Sequence, residues 1–199
     1  MTTLKKNRIK AAFKYTWPFY IVFAVVTTFA LWFVFGITHK TPAYKTLTLF
    51  VSGEVKDSKK LKNDMLEKYK DNELKSFSCI YADPSDGNYY HKLSVPGYNS
   101  ADVLIIPQSR LDNLNVSAFA LDFDENLINT YYTGLSLFTQ NDVNYGVKLD
   151  KEKVKEYMAL PTEDCYMLLN AKSQNIGEYS SKPVKEHDTA LKVLKDWGM

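Results

Sequence analysis

Asp102-Val103-Leu104-Ile105-Ile106-Pro107 is an unbroken apolar run behind a single carboxylate. Aliphatic residues without polar alternation mark a strand buried on both faces, as in a parallel sheet covered by helices. Upstream, Thr46-Leu47-Thr48-Leu49-Phe50-Val51 and Phe77 to Ala82 are rich in β-branched and aromatic residues, so both read as strands. Between them, Asp57 to Tyr69 sets Leu61, Met65, Leu66 and Tyr69 on one helical face, with Asp57 or Ser58 as N-cap. Lys60 and Asp64 stand at i,i+4 on another face, a spacing that predicts an ion pair. Asp83-Pro84-Ser85-Asp86-Gly87-Asn88 is turn chemistry, and Tyr89, Tyr90 and Leu93 suit a short second helix. Strand, helix, strand, helix, strand is βαβ alternation. The expected fold class is α/β, an open and mostly parallel sheet flanked by helices.

Downstream the pattern loosens. Asp124 to Tyr132 predicts a helix with Leu127, Ile128 and Tyr131 inward. Leu135 to Gln140 and Val143 to Leu149 flank Asn141-Asp142, two residues that tolerate left-handed geometry, so a tight hairpin is expected. Lys151 to Met158 suits a short helix before Pro161, and Cys165 to Asn170 another strand. Asp188 to Trp197 closes the chain as an amphipathic helix with Ala190, Leu191, Leu194 and Trp197 on one face.

Working outward to the amino terminus, Phe19 to Ile37 reads FYIVFAVVTTFALWFVFGI, nineteen residues with no charge. At about 1.5 Å per residue this is just enough to cross a hydrocarbon core of roughly 30 Å. Lys5, Lys6, Arg8, Lys10 and Lys14 precede it, and no acidic residue occurs before Glu54. That bias keeps the amino terminus in the cytoplasm. The expected organisation is a basic cytoplasmic tail (1–18), a single-pass transmembrane helix (19–37), a spacer (38–45) and an extracellular α/β domain (46–199). A cleaved signal peptide is the competing reading. Against it stand the length of the run, bulky residues at its exit, and Trp17, Tyr20 and Trp32 placed as interfacial anchors.

All 23 acidic side chains and 19 of the 25 basic ones lie beyond Lys40, so the outer part carries a net charge of −4. A mildly acidic domain offers no basic face for nucleic acid. Its 159 residues suffice for a core without disulfides or metal. The two cysteines, Cys79 and Cys165, both sit in apolar strand-like runs, which favours buried free thiols over a disulfide.

Catalytic chemistry has little footing in the sequence. His39, His91 and His187 have no partners at a metal-ligand spacing. No Gly-x-Ser-x-Gly elbow and no phosphate-cradling glycine loop occur, and no cofactor or metal is expected. Asp122, Asp124 and Glu125 could hold calcium, but a helix N-terminus explains them more simply. The loops after the strands are the place where open α/β sheets take ligands. There stand Ser52 and Gly53, then Asp83, Ser85 and Asp86 close to Tyr89, then Gln108 and Ser109. Hydroxyls, carboxylates and an amide in that position suit a sugar or another polar solute, against a reading of 83–87 as an ordinary turn.

Several segments resemble the first lobe of bacterial extracellular solute-binding proteins, the type II periplasmic-binding-protein-like components of ABC sugar importers. The similarity is carried by Lys45 to Val51, Tyr90-His91-Lys92-Leu93 and Ala101 to Leu111. Asn144 to Leu149 resembles the approach to that family's hinge, Asp164 to Gly177 its return strand, and Thr189 to Leu194 a following helix of the lobe. The resemblance spans Tyr44 to Trp197 and implies an extracellular binding protein in carbohydrate transport. One departure changes what it implies. About fifteen residues separate the hinge-like segment from the return strand, far too few for a second lobe. The expectation is therefore a non-enzymatic, membrane-anchored interaction module that partners an ABC permease or another envelope protein. Sugar binding by the lone lobe is the alternative. A more remote one is an envelope polysaccharide hydrolase, which would need carboxylates among Asp83, Asp86, Asp122 and Asp124 to face each other across a cleft.

Overall fold

The structure is a computed structural model describing residues 3–38, 41–181, 183 and 187–199, with the backbone alone for 3–13 and 37–38. His39 and Lys40 of the expected spacer lie outside the described residues, as do the side chains of Lys5, Lys6, Arg8 and Lys10. The chain forms two compact units, Met1–Lys40 and Thr41–Met199.

The first unit is one helix, α1 (Thr3–Thr38), which runs through both the expected tail and the apolar stretch and accommodates Pro18 in its interior. Lys14–Gly36 is long and apolar enough to cross a membrane. Thr27 and Thr28 return their hydroxyls to the carbonyls of Phe23 and Ala24, both at 2.8 Å, so neither needs an outside partner.

The second unit is α/β. Its strands are β1 (Thr46–Ser52), β2 (Glu54–Val55), β3 (Ser76–Ala82), β4 (Val103–Pro107), β5 (Leu137–Gln140), β6 (Val143–Lys148), β7 (Met158–Ala159) and β8 (Cys165–Leu169). Six form one sheet in the order β3-β1-β4-β8-β6-β5, and β2 pairs with β7 in a separate ribbon. β1 is parallel to β3 and β4, whereas β8 is antiparallel to both β4 and β6, and β5 is antiparallel to β6. The sheet is thus mixed, with β3, β1, β4 and β6 pointing one way. All five residues of β4 are buried, as its unbroken apolar run requires. One core layer lies on the face of Leu47, Leu49, Val51, Ile105 and Met167, the other on that of Phe50, Leu104, Ile106 and Leu168.

Helix α2 (Ser58–Lys68) starts at Asp57, whose carboxylate accepts the Lys60 N–H at 2.8 Å, and buries Leu61 and Met65. The expected Lys60–Asp64 pair does not form. Lys60 reaches Glu156 at 2.5 Å, and Asp64 accepts the Tyr157 hydroxyl at 2.8 Å, because the returning chain offers better-placed partners than the helix itself. Helical structure runs from Tyr89 to Ser100, longer than the sequence suggested, and loosens to a π-turn around Pro96, where an ordinary helical bond has no donor. Asp124 caps the helical turn Glu125–Leu127 through the Leu127 N–H at 2.7 Å, which then widens into a π-turn, Ile128–Tyr132. Asn141 and Asp142 have φ of 52° and 62°, the left-handed pair expected of the hairpin. Lys151–Val154 is a single turn, and Met158 belongs to β7 instead of a helix. In the C-terminal helix (Thr189–Trp197) the N-cap residue Asp188 makes no capping bond. Its carboxylate takes the Asn72 amide at 2.7 Å and the Tyr131 hydroxyl at 3.2 Å.

Both cysteines are free. Cys79 lies on β3 and Cys165 on β8, with β1 and β4 between them. Three strand spacings of about 4.8 Å exceed the ~7 Å limit for a disulfide.

At the amino ends of β1 and β4 the core is polar and densely hydrogen-bonded, with the buried Oδ1 of Asn175 left without a partner. The Asp102 carboxylate accepts the Thr48 N–H at 2.7 Å and the Ser173 hydroxyl at 2.5 Å. Asn170 donates to the carbonyls of Tyr98 and Ala101, both at 2.8 Å, and Asn175 donates to that of Thr46 at 2.8 Å. The Asn170–Asn175 stretch thus stitches the strand starts together.

Candidate functional site

The carboxyl ends of β1, β3 and β4 open onto a cleft of about 510 Å³. Of the residues expected from the sequence, Gly53, Asp83, Ser85 and Ser109 line it. Asp86 lines a neighbouring depression of about 310 Å³ with Glu54, Tyr81 and Lys92. Three of the expected residues lie elsewhere. Ser52 and Tyr89 lie beneath the surface, buried and bonded to each other through their hydroxyls at 2.7 Å, because β1 continues through Ser52 instead of ending at Val51. Gln108 is exposed and faces neither depression.

Asp83 is held by its own turn. Its Oδ1 accepts the Ser85 N–H at 2.8 Å and the Ser85 hydroxyl at 2.7 Å, and these donors, the backbone one foremost, keep its carboxyl below the usual range. Asp86 accepts the Asn88 N–H at 2.9 Å and the Lys92 ammonium at 3.1 Å, and is lowered for the same kind of reason. Both carboxylates are thus stabilised in the ionised form by local donors, and both line the smaller depression. Asp124 serves its helix, and neither it nor Asp122 lines the cleft.

Two residues that sequence reasoning passed over dominate the site. Arg110 donates to the Pro84 carbonyl at 2.5 Å and the Tyr90 hydroxyl at 3.2 Å, with its guanidinium 5.5 Å from the rings of both Tyr89 and Tyr90. It fastens the loop after β3 to the loop after β4. Glu163 reaches in from the segment between β7 and β8. Its carboxylate accepts the Ser109 N–H at 2.8 Å and the Ser109 hydroxyl at 2.7 Å. The Lys151 ammonium holds that segment by donating to the carbonyls of Pro161 (2.6 Å), Thr162 (2.9 Å) and Glu163. Arg110 stands beside Ser109 and could have been flagged as the one arginine after Arg8. Glu163 carries no local signal: the antiparallel β4–β8 register, continued past Pro107–Cys165 by the Gln108 N–H on the Asp164 carbonyl, sets it opposite Ser109, and the chain just before it is held by the β2–β7 pairing.

That pairing is tight. An added Cβ at Gly53 would stand 2.4 Å from the Ala159 carbonyl oxygen, so glycine is required for the close approach. The Lys56 N–H donates to the Tyr157 carbonyl at 2.8 Å, extending the ribbon by one bond. The result is an open cleft with three carboxylates (Glu54, Asp83, Glu163) and one guanidinium, one wall of which is the chain's own Ala159–Glu163 segment. Family models, curated proteins and solved structures yield no match to this chain.

Proposed function

We propose that this chain is a single-pass membrane protein whose outer domain is one periplasmic-binding-protein-like lobe, acting as a non-enzymatic docking module beside an ABC-type permease or another envelope protein. One observation carries the reading: what becomes of the connection between β6 and β8. In the family that the sequence resembles, a second lobe stands between the hinge-like segment and the return strand. Here β6 and β8 pair directly, and the short chain between them folds back as β7 onto β2 and seats Glu163 on Ser109. The lobe is closed on itself. A cleft this open covers much less of a small solute than the roughly 70–90% typical of good sites, so a protein surface is the better-matched ligand.

Solute binding has its own support in the mixed lining of the cleft. Glu54, Asp83 and Ser85 supply acceptors and a hydroxyl beside Arg110, a set that suits a sugar. The two readings separate on paired measurements. Gentle solubilisation of membranes should recover a stoichiometric companion protein, and recovery of the chain alone across several detergents would refute the docking role. In a thermal-shift screen of sugars, a ligand at a hundred times its Kd adds about 2.7 kcal/mol. A shift abolished by Arg110→Ala would establish the solute reading instead.

A further inference from the structure

The two edges of the main sheet are finished differently. β5 is short, with a register shift between Phe138 and Thr139, and the Gln140 side chain is bonded to the backbone of Leu114 and Val116. Such devices blunt an edge. β3 has none of them. Its seven residues, Ser76-Phe77-Ser78-Cys79-Ile80-Tyr81-Ala82, hold no charge and no proline and pair with β1 in unbroken register. Gly53 donates to the Ala82 carbonyl, so the even-numbered residues of β3 turn their backbone groups toward β1. Phe77, Cys79 and Tyr81 therefore turn theirs outward, and no hydrogen bond among the described residues reaches them. Ser78 and Tyr81 are exposed along the same edge.

The charges that bracket this strand select its partner. Lys75 stands just before it and Asp83 just after it. Neither makes an ion pair among the described residues, and the donors from Ser85 leave the second Asp83 oxygen open. A strand with a cation at its start and an anion at its end is complementary to an antiparallel copy of itself. Alignment about Cys79 is the one register that pairs all three outward residues, Phe77 with Tyr81 of the second copy, Cys79 with Cys79, Tyr81 with Phe77. The same register sets Lys75 against Asp83 at both ends.

We propose that the β3 edge is a homodimerisation surface, two copies of this chain joining their sheets antiparallel about Cys79. Isologous two-fold pairing is the commonest form of self-association, and here it satisfies the open edge of both copies at once. It sets Lys75 of each copy against Asp83 at the rim of the other copy's strand-end cleft.

The register gives the test. Ser78 and Ile80 of opposite copies become a non-hydrogen-bonded pair, with Cα atoms about 4.5 Å apart, within disulfide range. Full-length Ser78→Cys and Ile80→Cys chains, each in a Cys79→Ser background and carrying different tags, are co-expressed, and membranes are oxidised with copper phenanthroline. The mixed disulfide dimer should exceed either self-linked dimer by about tenfold, since 78–78 and 80–80 contacts belong to other registers. Tyr81→Pro deletes an outward N–H and leaves the β1 ladder intact, so it should abolish the link while the melting temperature holds. Lys75→Glu should weaken it several-fold. The unmodified chain in mild detergent should sediment as a dimer. A monomer there, equal self-linking of Ser78→Cys, a link indifferent to Tyr81→Pro, or linkage only to a different protein would overturn the proposal.

Discussion

The helix Thr3–Thr38 and the domain Thr41–Met199 treat apolar side chains in opposite ways. Of the large apolar residues left exposed among those described, fifteen lie between Tyr15 and Phe35 and four, Tyr81, Tyr90, Val95 and Met199, in the whole domain. Phe19 is 75% exposed and Trp32 73%, whereas Phe50 and Leu104 are fully buried. At about 25 cal/mol per Å² of apolar surface, such a helix is stable in water only if something else covers it. Lys14–Gly36 has the length and the absence of charge for which a bilayer is the natural cover. The domain solves the same problem internally, with two core layers against one sheet. One chain thus carries two folding environments, and a substitution harmless in one unit should be severe in the other.

Charge in the helix should produce the largest effect. Val26→Arg with Ala30→Arg places two cations at the centre of the span, at about 3 kcal/mol each and about 6 kcal/mol together against insertion. Carbonate-washed membranes should lose the variant chain, whereas Tyr81→Arg in the exposed surface of the domain should leave it in place. Equal retention of both would break the contrast between the units.

Next comes the polar knot inside the domain. Asp102→Ala leaves the Thr48 N–H and the Ser173 hydroxyl without acceptors in a dry site, a loss of about 3 kcal/mol. In a domain of this size that lowers Tm by roughly 6–12 °C in calorimetry or circular dichroism. A shift under about 2 °C would show that the site is wet.

Gly53→Ala should follow, at about 2 kcal/mol, since backbone must move to relieve the contact with Ala159. Its mark is local. Hydrogen exchange should quicken at Lys56 and Ser109, the amides held by Tyr157 and Glu163, and stay slow at Thr48.

The sequence made some of this plain and hid the rest for a physical reason. β4 was legible because burial on both faces writes an unbroken apolar run. The cap at Asp57 and the turn at Asn141-Asp142 were legible because each is settled within four residues. β8 was recognisable as a strand, but its direction was not, because an antiparallel insertion between β4 and β6 is a property of pairing. The same holds at the site. Asp83 and Ser85 could be placed from local turn chemistry, whereas Glu163, fifty-four residues away in sequence, arrives on Ser109 through the antiparallel register of β4 and β8. Lys60 shows the limit most simply: the spacing to Asp64 suited a pair, and a partner ninety-six residues away took it.

The smallest effect expected is on pH dependence, and it differs in sign between the two ends of the strands. Burial, above all, holds the Asp102 carboxyl above the ordinary carboxylate range, against the pull of Ser173 and Thr48. The folded state then binds that proton more tightly than the unfolded chain, whose pKa is about 3.9. Its contribution is complete below that value and is lost as pH rises through the folded pKa. Asp83 and Asp86, lowered by the N–H groups of Ser85 and Asn88, contribute above about pH 4 and lose that contribution as pH falls. Asp102→Asn should therefore lose more stability than the native chain as pH falls toward about 4, and Asp83→Asn less as pH falls below about 4, in urea midpoints taken across pH. Parallel curves for all three would remove the distinction.

The docking and solute readings proposed for the domain Thr41–Met199 depend on which side of a membrane it would occupy, and protease added to intact cells reads that directly. The charge bias around Phe19 to Ile37 leads us to expect loss of the domain beyond Thr41 and survival of a short amino-terminal fragment containing the span. A domain that stays intact until the membrane is breached, or a mature chain that begins near Thr38, would contradict it.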